Sequence, residues 1–350
     1  MSTLHENLVR LTRRDLEVAM LRFGENPDDY PKKADLVRAA EEAVKAHPLT
    51  PLMSVGPEGV LTLRRYLRQG VTLLDTLVRG DPVLSDTLHQ LQSFGLAWHT
   101  RGRYELTVQA KLLVLGMNKT QLKLLRAHDA LYTAIHGCLN LYGMLSPEEL
   151  TAILEQSGMF GLSVDAVLHA YLLVCHPDNV LFLPEEEAPF LVCTDELDDP
   201  AWLYGELQRS PLLPRAVFRQ EDFLRADRLP GKPEIFASLK DWLKRKGAFE
   251  DQIEHFLYEL TFCYMNDPDA PQSVYIDLLL DFIPQIKTAL TPAEERILMT
   301  TLEQLPLWTL RGYAAIDRQH AVARQSAAGR DDYCPCGSGR KYRNCCGNFH

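Results

Sequence analysis

Along most of this chain the apolar positions recur every three or four residues, the period of a helix with one buried face. In residues 1–50, "LTRRDLEVAMLRFG" and "KKADLVRAAEEAV" predict two short amphipathic helices joined by the loop "ENPDDYP". Residues 53–118 begin with three more helical patterns, "LTLRRYLRQG", "TLLDTLV" and "DPVLSDTLHQLQSFG". The period then drops to two. Leu96 to His99 and Tyr104 to Thr107 alternate as strands do, and Arg101-Gly102 between them supplies a hairpin turn. Residues 119–200 repeat this plan. "QLKLLRAHDALYTAIHGCLNLYG" predicts a long helix, and "LSPEELTAILEQSG" opens with a capping box of Ser146 at N-cap, Pro147 at N1 and Glu149 at N3. "LSVDAVLHAYLLVC" supplies a third helix, and "NVLFL" and "FLVCT" a hairpin across "PEEEAP". Residues 201–320 keep the helical period throughout, with a helix ending on Gly247 behind Lys244, Arg245 and Lys246, and a second capping box from Thr291 to Glu294. Residues 321–332 are small, polar and charged and read as a linker to a terminal segment, 333–350.

Three helices followed by a hairpin is the order of a winged helix. The join "LQSFGLAW", where a helix ends at Gly95 and runs straight into a strand, resembles that superfamily. The expected fold class is therefore mainly α. It comprises an N-terminal helical hairpin, tandem winged-helix-like modules with small β-hairpin wings, a C-terminal helical bundle and a small terminal knuckle. The N-terminal pair, a leucine-led helix, a loop and a "KKADL" helix, resembles the helix–extended loop–helix of SAP and Rho-N modules, which bind nucleic acid. Its other reading is a helical hairpin that packs on the next module of the chain.

Composition adds compartment and charge. An apolar content of 46% with 24% charged residues suits a soluble globular protein. No apolar run reaches the roughly 18 residues of a membrane span. The opening "MSTLHENLVRLTRRD" lacks the apolar core of a secretory signal. The expected compartment is the cytoplasm, where thiols stay reduced. The scattered Cys138, Cys175, Cys193 and Cys263 then read as small core hydrophobes. The net charge of −10 disfavours indiscriminate nucleic-acid binding. Its distribution is uneven: residues 60–130 hold ten Lys/Arg against five Asp/Glu, residues 144–210 one Arg against thirteen Asp/Glu. Two modules of opposite sign are expected to have different partners.

The remaining four cysteines fall within "CPCGSGRKYRNCC", at a spacing of C-x-C-x8-C-C. Two cysteine pairs flanking a glycine-containing loop can bring four thiolates round one Zn²⁺ at roughly 2.3 Å per bond. So short a segment has no core of its own, and metal binding would supply its folding free energy, about 10–16 kcal/mol in zinc-finger peptides. With every position filled by protein, no open site is left for a water, which argues for a structural ion. "CPCGSGRKYRNCCG" resembles the SEC-C motif, named for the C-terminus of the SecA preprotein translocase ATPase. That resemblance implies Cys334, Cys336, Cys345 and Cys346 as zinc ligands; His350, four residues after Cys346, is an alternative fourth ligand by position. It also implies that the Tyr342 ring packs on the knuckle and that Arg340, Lys341 and Arg343 face a protein or ribosomal partner, as the module does with the SecB chaperone and ribosomes in SecA. The motif covers about sixteen residues and identifies a module, not the whole chain; no phosphate-binding loop of a SecA-type motor is present. A segment "LYG-x-L-S-x-x-E-L" and a late "W-x-L-x-G" resemble a loose group of bacterial proteins with the same tail.

Two functional readings are open. The first is a non-enzymatic adaptor whose zinc knuckle docks a protein or ribosomal partner. The second is a DNA-binding regulator using residues 60–115, in which Ser85, Thr87 and Gln90 read a groove while Arg101 and Arg103 grip phosphate. Against the second, "DPVLSDTLHQLQ" carries two aspartates and no Lys or Arg, unlike a basic recognition helix. Neither HExxH nor G-x-S-x-G, phosphate loop or dinucleotide fingerprint occurs. A dispersed active site leaves no such trace, so the enzyme question stays open while the non-enzymatic reading leads. One further polar stripe, His128, Tyr132 and His136, is expected to be a solvated face, because its histidines lie two turns, about 12 Å, apart.

Overall fold

The computed structural model describes residues 3–174, 179–183, 190–209, 215–286, 289–317, 341 and 343. In chain order the elements are α1 (Leu4–Arg10), α2 (Arg13–Arg22), α3 (Lys33–Ala46), α4 (Thr50–Arg68), α5 (Asp75–Arg79), α6 (Pro82–Ser93), β1 (Ala97–Thr100), β2 (Arg103–Leu106), α7 (Val108–Gly116) and α8 (Lys119–Tyr142). Next come β3 (Met144–Leu145), α9 (Pro147–Gln156), α10 (Val164–Leu172), β4 (Val180–Phe182), β5 (Phe190–Cys193), α11 (Pro200–Arg209), α12 (Gln220–Ala226), α13 (Pro233–Arg245), α14 (Glu250–Asn266), α15 (Gln272–Phe282) and α16 (Pro292–Leu302). The described residues are thus mainly helical with a few short strands, and no described helix is long and apolar enough to cross a membrane. Two compact units result: Met1–Tyr132 with Asp165–Pro177, and Thr133–Val164 with Asp178–His350.

In the first unit, three helices occupy the stretch where apolar spacing predicts two. Thr3 and Thr12 each cap a helix and close a capping box, with Glu6 and Asp15, so the chain stops and restarts at Leu11-Thr12. These helices share one core with α4 and α6, through Leu8, Leu16, Leu36, Leu63, Leu88 and Phe94. Polar contacts join the same elements. Asn7 Nδ2 donates to the Gly95 carbonyl at 2.9 Å, and Arg22 donates to Ser93 Oγ at 2.9 Å and to Gln90 Oε1 at 3.3 Å.

After α6 the chain turns at Gly95 (φ 70°) directly into β1, as the "LQSFGLAW" join leads one to expect. β1 and β2 pair antiparallel from Ala97↔Leu106 to Thr100↔Arg103. Arg101 (φ 49°) and Gly102 (φ 76°) form the turn, the left-handed pair that a two-residue hairpin favours. Leu74 adds a single antiparallel bridge to Arg103. The hydrophobic period does not predict α7. This helix starts because Thr107, the last alternating residue, accepts from Ala110 N at 3.1 Å and so becomes an N-cap.

In the second unit β5 lies between β3 and β4, antiparallel to both, with Met144↔Cys193 and Leu181↔Leu191 in register. α9 begins at the anticipated capping box, Ser146 with Glu149, and α16 at Thr291 with Glu294. Replacing Ser146 by Ala removes one of the two reciprocal bonds and is expected to cost about 1 kcal/mol, read as a lower urea midpoint. Phe236, Trp242, Leu257, Leu279 and Leu298 of α13–α16 form one core cluster. Met144, Cys193, Leu203, Phe262 and Trp308 form another. Asn140, fully buried on α8, ties several segments together. Its side chain donates to the Ala226 carbonyl at 2.9 Å and accepts from Thr194, and its own carbonyl accepts from Trp308 Nε1 at 2.9 Å.

Candidate functional site

Cys334, Cys336, Cys345 and Cys346 lie outside the described residues, as do Arg340, Tyr342 and His350; Lys341 and Arg343 are described and exposed. The donor set itself carries the chemistry. Four thiolates would suit a borderline-soft ion such as Zn²⁺, and Arg340, Lys341 and Arg343 in the same short segment would partly offset its excess negative charge. Among the described residues, no group of three or more His, Cys, Asp or Glu is placed to hold a metal. The described cysteines are of another kind. Cys138 and Cys193 are buried and Cys263 half-buried. Burial pushes the Cys193 thiol up to about 12 and raises Cys138 as well. Both remain protonated and pack as small apolar groups; Cys175 lies outside the described residues.

The residues expected to touch nucleic acid do not form one exposed surface. Thr87 is corrected outright: it is 2% exposed, and its hydroxyl donates to the Val83 carbonyl at 2.7 Å. The reason is packing. Gly59 of α4 approaches so closely that an added Cβ would overlap Thr87 Oγ1. Gln90 is half-buried and accepts from Arg22 of α2, and Ser85 is half-buried too. The exposed positions of α6 between Pro82 and Gln90 are Pro82, Asp86 and His89, with no cation among them. Arg101 and Arg103 are exposed on the hairpin, but Arg103 pairs with Glu105 at 2.6 Å. Near its turn the hairpin is held by His99 Nε2–Asp75 Oδ1 (2.7 Å) and by Tyr104 Oη–His89 Nε2 (3.2 Å). Helical spacing marks α6 as amphipathic; it cannot show that α2 and α4 both lean on it.

The histidine stripe also differs from the expected solvated face. His128 is half-buried, and both ring nitrogens are shut off from solvent and meet no hydrogen-bond partner among the described residues. Burial, with His169 nearby as a second cause, lowers its pKa to about 4. His136 in the second unit is opposite in sign. Burial opposes its charged form, but a 3.1 Å hydrogen bond with Asp227 and the surrounding carboxylates outweigh it and raise the pKa. Because His128 titrates lower in the folded than in the unfolded chain, its contribution is fully present above about pH 6.5 and is lost as pH falls toward 4. The expected loss is about 2 kcal/mol after allowance for solvent at its exposed edge. Hydrogen exchange of α8 and α10 peptides at pH 7.5 and 5 should show this loosening in the wild type, and His128→Leu should reduce the pH dependence, leaving the part due to His169 on α10, whose pKa burial also lowers.

The tail has recognisable relatives. Residues 332–348 match the family model of the SEC-C motif. Over 26 residues the chain is 65% identical to the protein translocase subunit SecA of Clostridium kluyveri, a stretch amounting to 7% of this chain and 3% of that protein. It is 50% identical over 32 residues to the SecA subunit of Clostridium botulinum strain Hall, covering 9% of this chain and 4% of that one. The likeness is thus to a small fraction of the relatives' length. No solved structure matches the chain. The SEC-C motif spans all four clustered cysteines and the basic residues between them.

Proposed function

We propose that this chain is a non-enzymatic zinc-binding adaptor of the cytoplasm. Cys334, Cys336, Cys345 and Cys346 hold one Zn²⁺, and Arg340, Lys341, Tyr342 and Arg343 meet a protein or ribosomal partner. The observation that carries this reading is the match of residues 332–348 to the SEC-C motif. The closed set of four sulfur donors supports a structural ion that shapes a docking knuckle.

The two units provide the body of the adaptor. Residues 53–118 are read as a winged-helix-like module. What supports this is the order helix, bridging Leu74, α5, α6 and hairpin, with Leu74 against Arg103. The chain order α8, β3, α9, α10, β4 and β5, with β5 central in its sheet, supports a second module of the same plan, its third helix α10 falling in the first compact unit. Neither presents a basic reading helix. Thr87 is buried, Gln90 is engaged by Arg22, and the second stretch is strongly acidic, which favours protein-facing roles over phosphate binding.

Purified full-length protein is expected to carry one zinc per chain by elemental analysis and to lose it when Cys345 and Cys346 become Ser. Zinc-loaded protein is expected to sediment with ribosomes or to retain a protein partner after nuclease treatment, and the double variant to do neither. Zinc-free wild type, or a partner retained without the tail, rejects the adaptor. Salt-sensitive DNA binding abolished by Arg101→Ala with Arg103→Ala selects the regulator in its place.

A further inference from the structure

Independent of the tail, the second unit contains a cleft of about 430 Å³ between the α12–α13 region and residues 304–316. This volume is in the range of small-molecule sites, which are apolar with a few placed polar groups. Its lining has that character. Leu141, Ala216, Pro306 and Ala314 are its buried apolar members, Phe218 and Ile235 are half-buried, and Ile316 stays 62% exposed. An isoleucine so exposed beside an apolar cleft has surface to gain by covering a ligand.

The charges on the lining decide which ligand fits. Asp222 is already neutralised: it accepts from Arg225 Nη2 at 2.9 Å and from the backbone N–H of Arg219 at 2.9 Å. Gln304 is also committed, donating to the Thr300 carbonyl at 2.8 Å. Lys232 is exposed and makes no ion pair with a described residue, so its ammonium is the uncommitted charge of the cleft. As N-cap of α13 it also stands at the positive end of that helix's dipole. An apolar body would fill the cleft while an anionic end met Lys232.

We propose that this cleft binds a small amphipathic carboxylate, with the carboxylate at Lys232 and the hydrocarbon between Phe218, Ile235 and Ile316. The test uses the full chain with 1-anilinonaphthalene-8-sulfonate as a fluorescent probe and decanoate as competitor. One saturable dye site displaced by decanoate is expected. Lys232→Glu and Ile316→Glu each place a repelling charge in the cleft and should weaken both ligands about tenfold or more. Both substitutions are at exposed positions, so the fold is expected to survive them. Phe249→Glu, at a residue 67% exposed in the same unit and outside the cleft lining, is the control and should change neither affinity. Absence of a saturable site, dye binding that decanoate leaves in place, or equal affinity in wild type and both cleft variants overturns the proposal.

Discussion

Gly137→Ala is expected to lower the stability of the second unit by about 3 kcal/mol, although alanine is the better helix former. Propensity alone predicts a gain of about 1 kcal/mol from removing a glycine inside a helix. Here the added methyl would overlap the Phe223 carbonyl oxygen and crowd the backbone nitrogen of Asp227. These are backbone atoms, so no rotamer change relieves the clash, and α12 would have to move away from α8. That movement would stretch two bonds that span the same gap, Asn140 Nδ2 to the Ala226 carbonyl at 2.9 Å and His136 Nδ1 to Asp227 at 3.1 Å. Overpacking costs of about 1–3 kcal/mol plus a weakened buried hydrogen bond give the figure. The matched control is Gly205→Ala in α11, where an added Cβ meets nothing within 4 Å. That variant should be neutral or stabilised by up to about 1 kcal/mol. Urea midpoints of the two variants should therefore move in opposite directions; a shared direction would mean that the close approach of α8 and α12 is not rigid.

Gly137 also shows where the sequence stops being informative. Local signals are readable: the Ser146 and Thr291 capping boxes, the Gly95 exit from α6 and the Arg101-Gly102 turn all stand where residue chemistry places them. Each depends on atoms within a few residues. α1 and α7 are local too, but residues 4–10 lie before the first predicted helix and Thr107 reads as the end of a strand before it becomes the N-cap of α7. The signals that fail are long-range. Nothing around Thr87 announces that Gly59 presses on it, and nothing around His128 announces two dry ring nitrogens. For the candidate site the balance is reversed. The cysteine spacing and its resemblance to the SEC-C motif are legible because they lie within thirteen consecutive residues. The Lys232 cleft is not legible at all, since its lining is drawn from Leu141 to Ile316.

Trp308→Ala is expected to remove about 4 kcal/mol from the second unit, the largest single loss among the aromatic positions of its core. The indole is fully buried, touches the Met144, Cys193 and Phe262 cluster, and donates to the Asn140 carbonyl at 2.9 Å. Truncation leaves a cavity worth about 3–5 kcal/mol and strips a partner from a buried carbonyl. Trp308→Phe separates the two effects. It keeps most of the packing and loses the donor, so it should cost about 1–2 kcal/mol. In a unit of this size the melting temperature should fall by about 10 °C for Ala and by about 4 °C for Phe. Trp308 lies on the last described stretch of the second unit, which runs to Asp317. On the proposed zinc site, four sulfur ligands close without help from the body, so zinc content should stay the same in both variants while thermal stability drops. If Trp308→Ala lost zinc as well as stability, the knuckle would depend on the body of the protein, and a separately folding tail would no longer describe it.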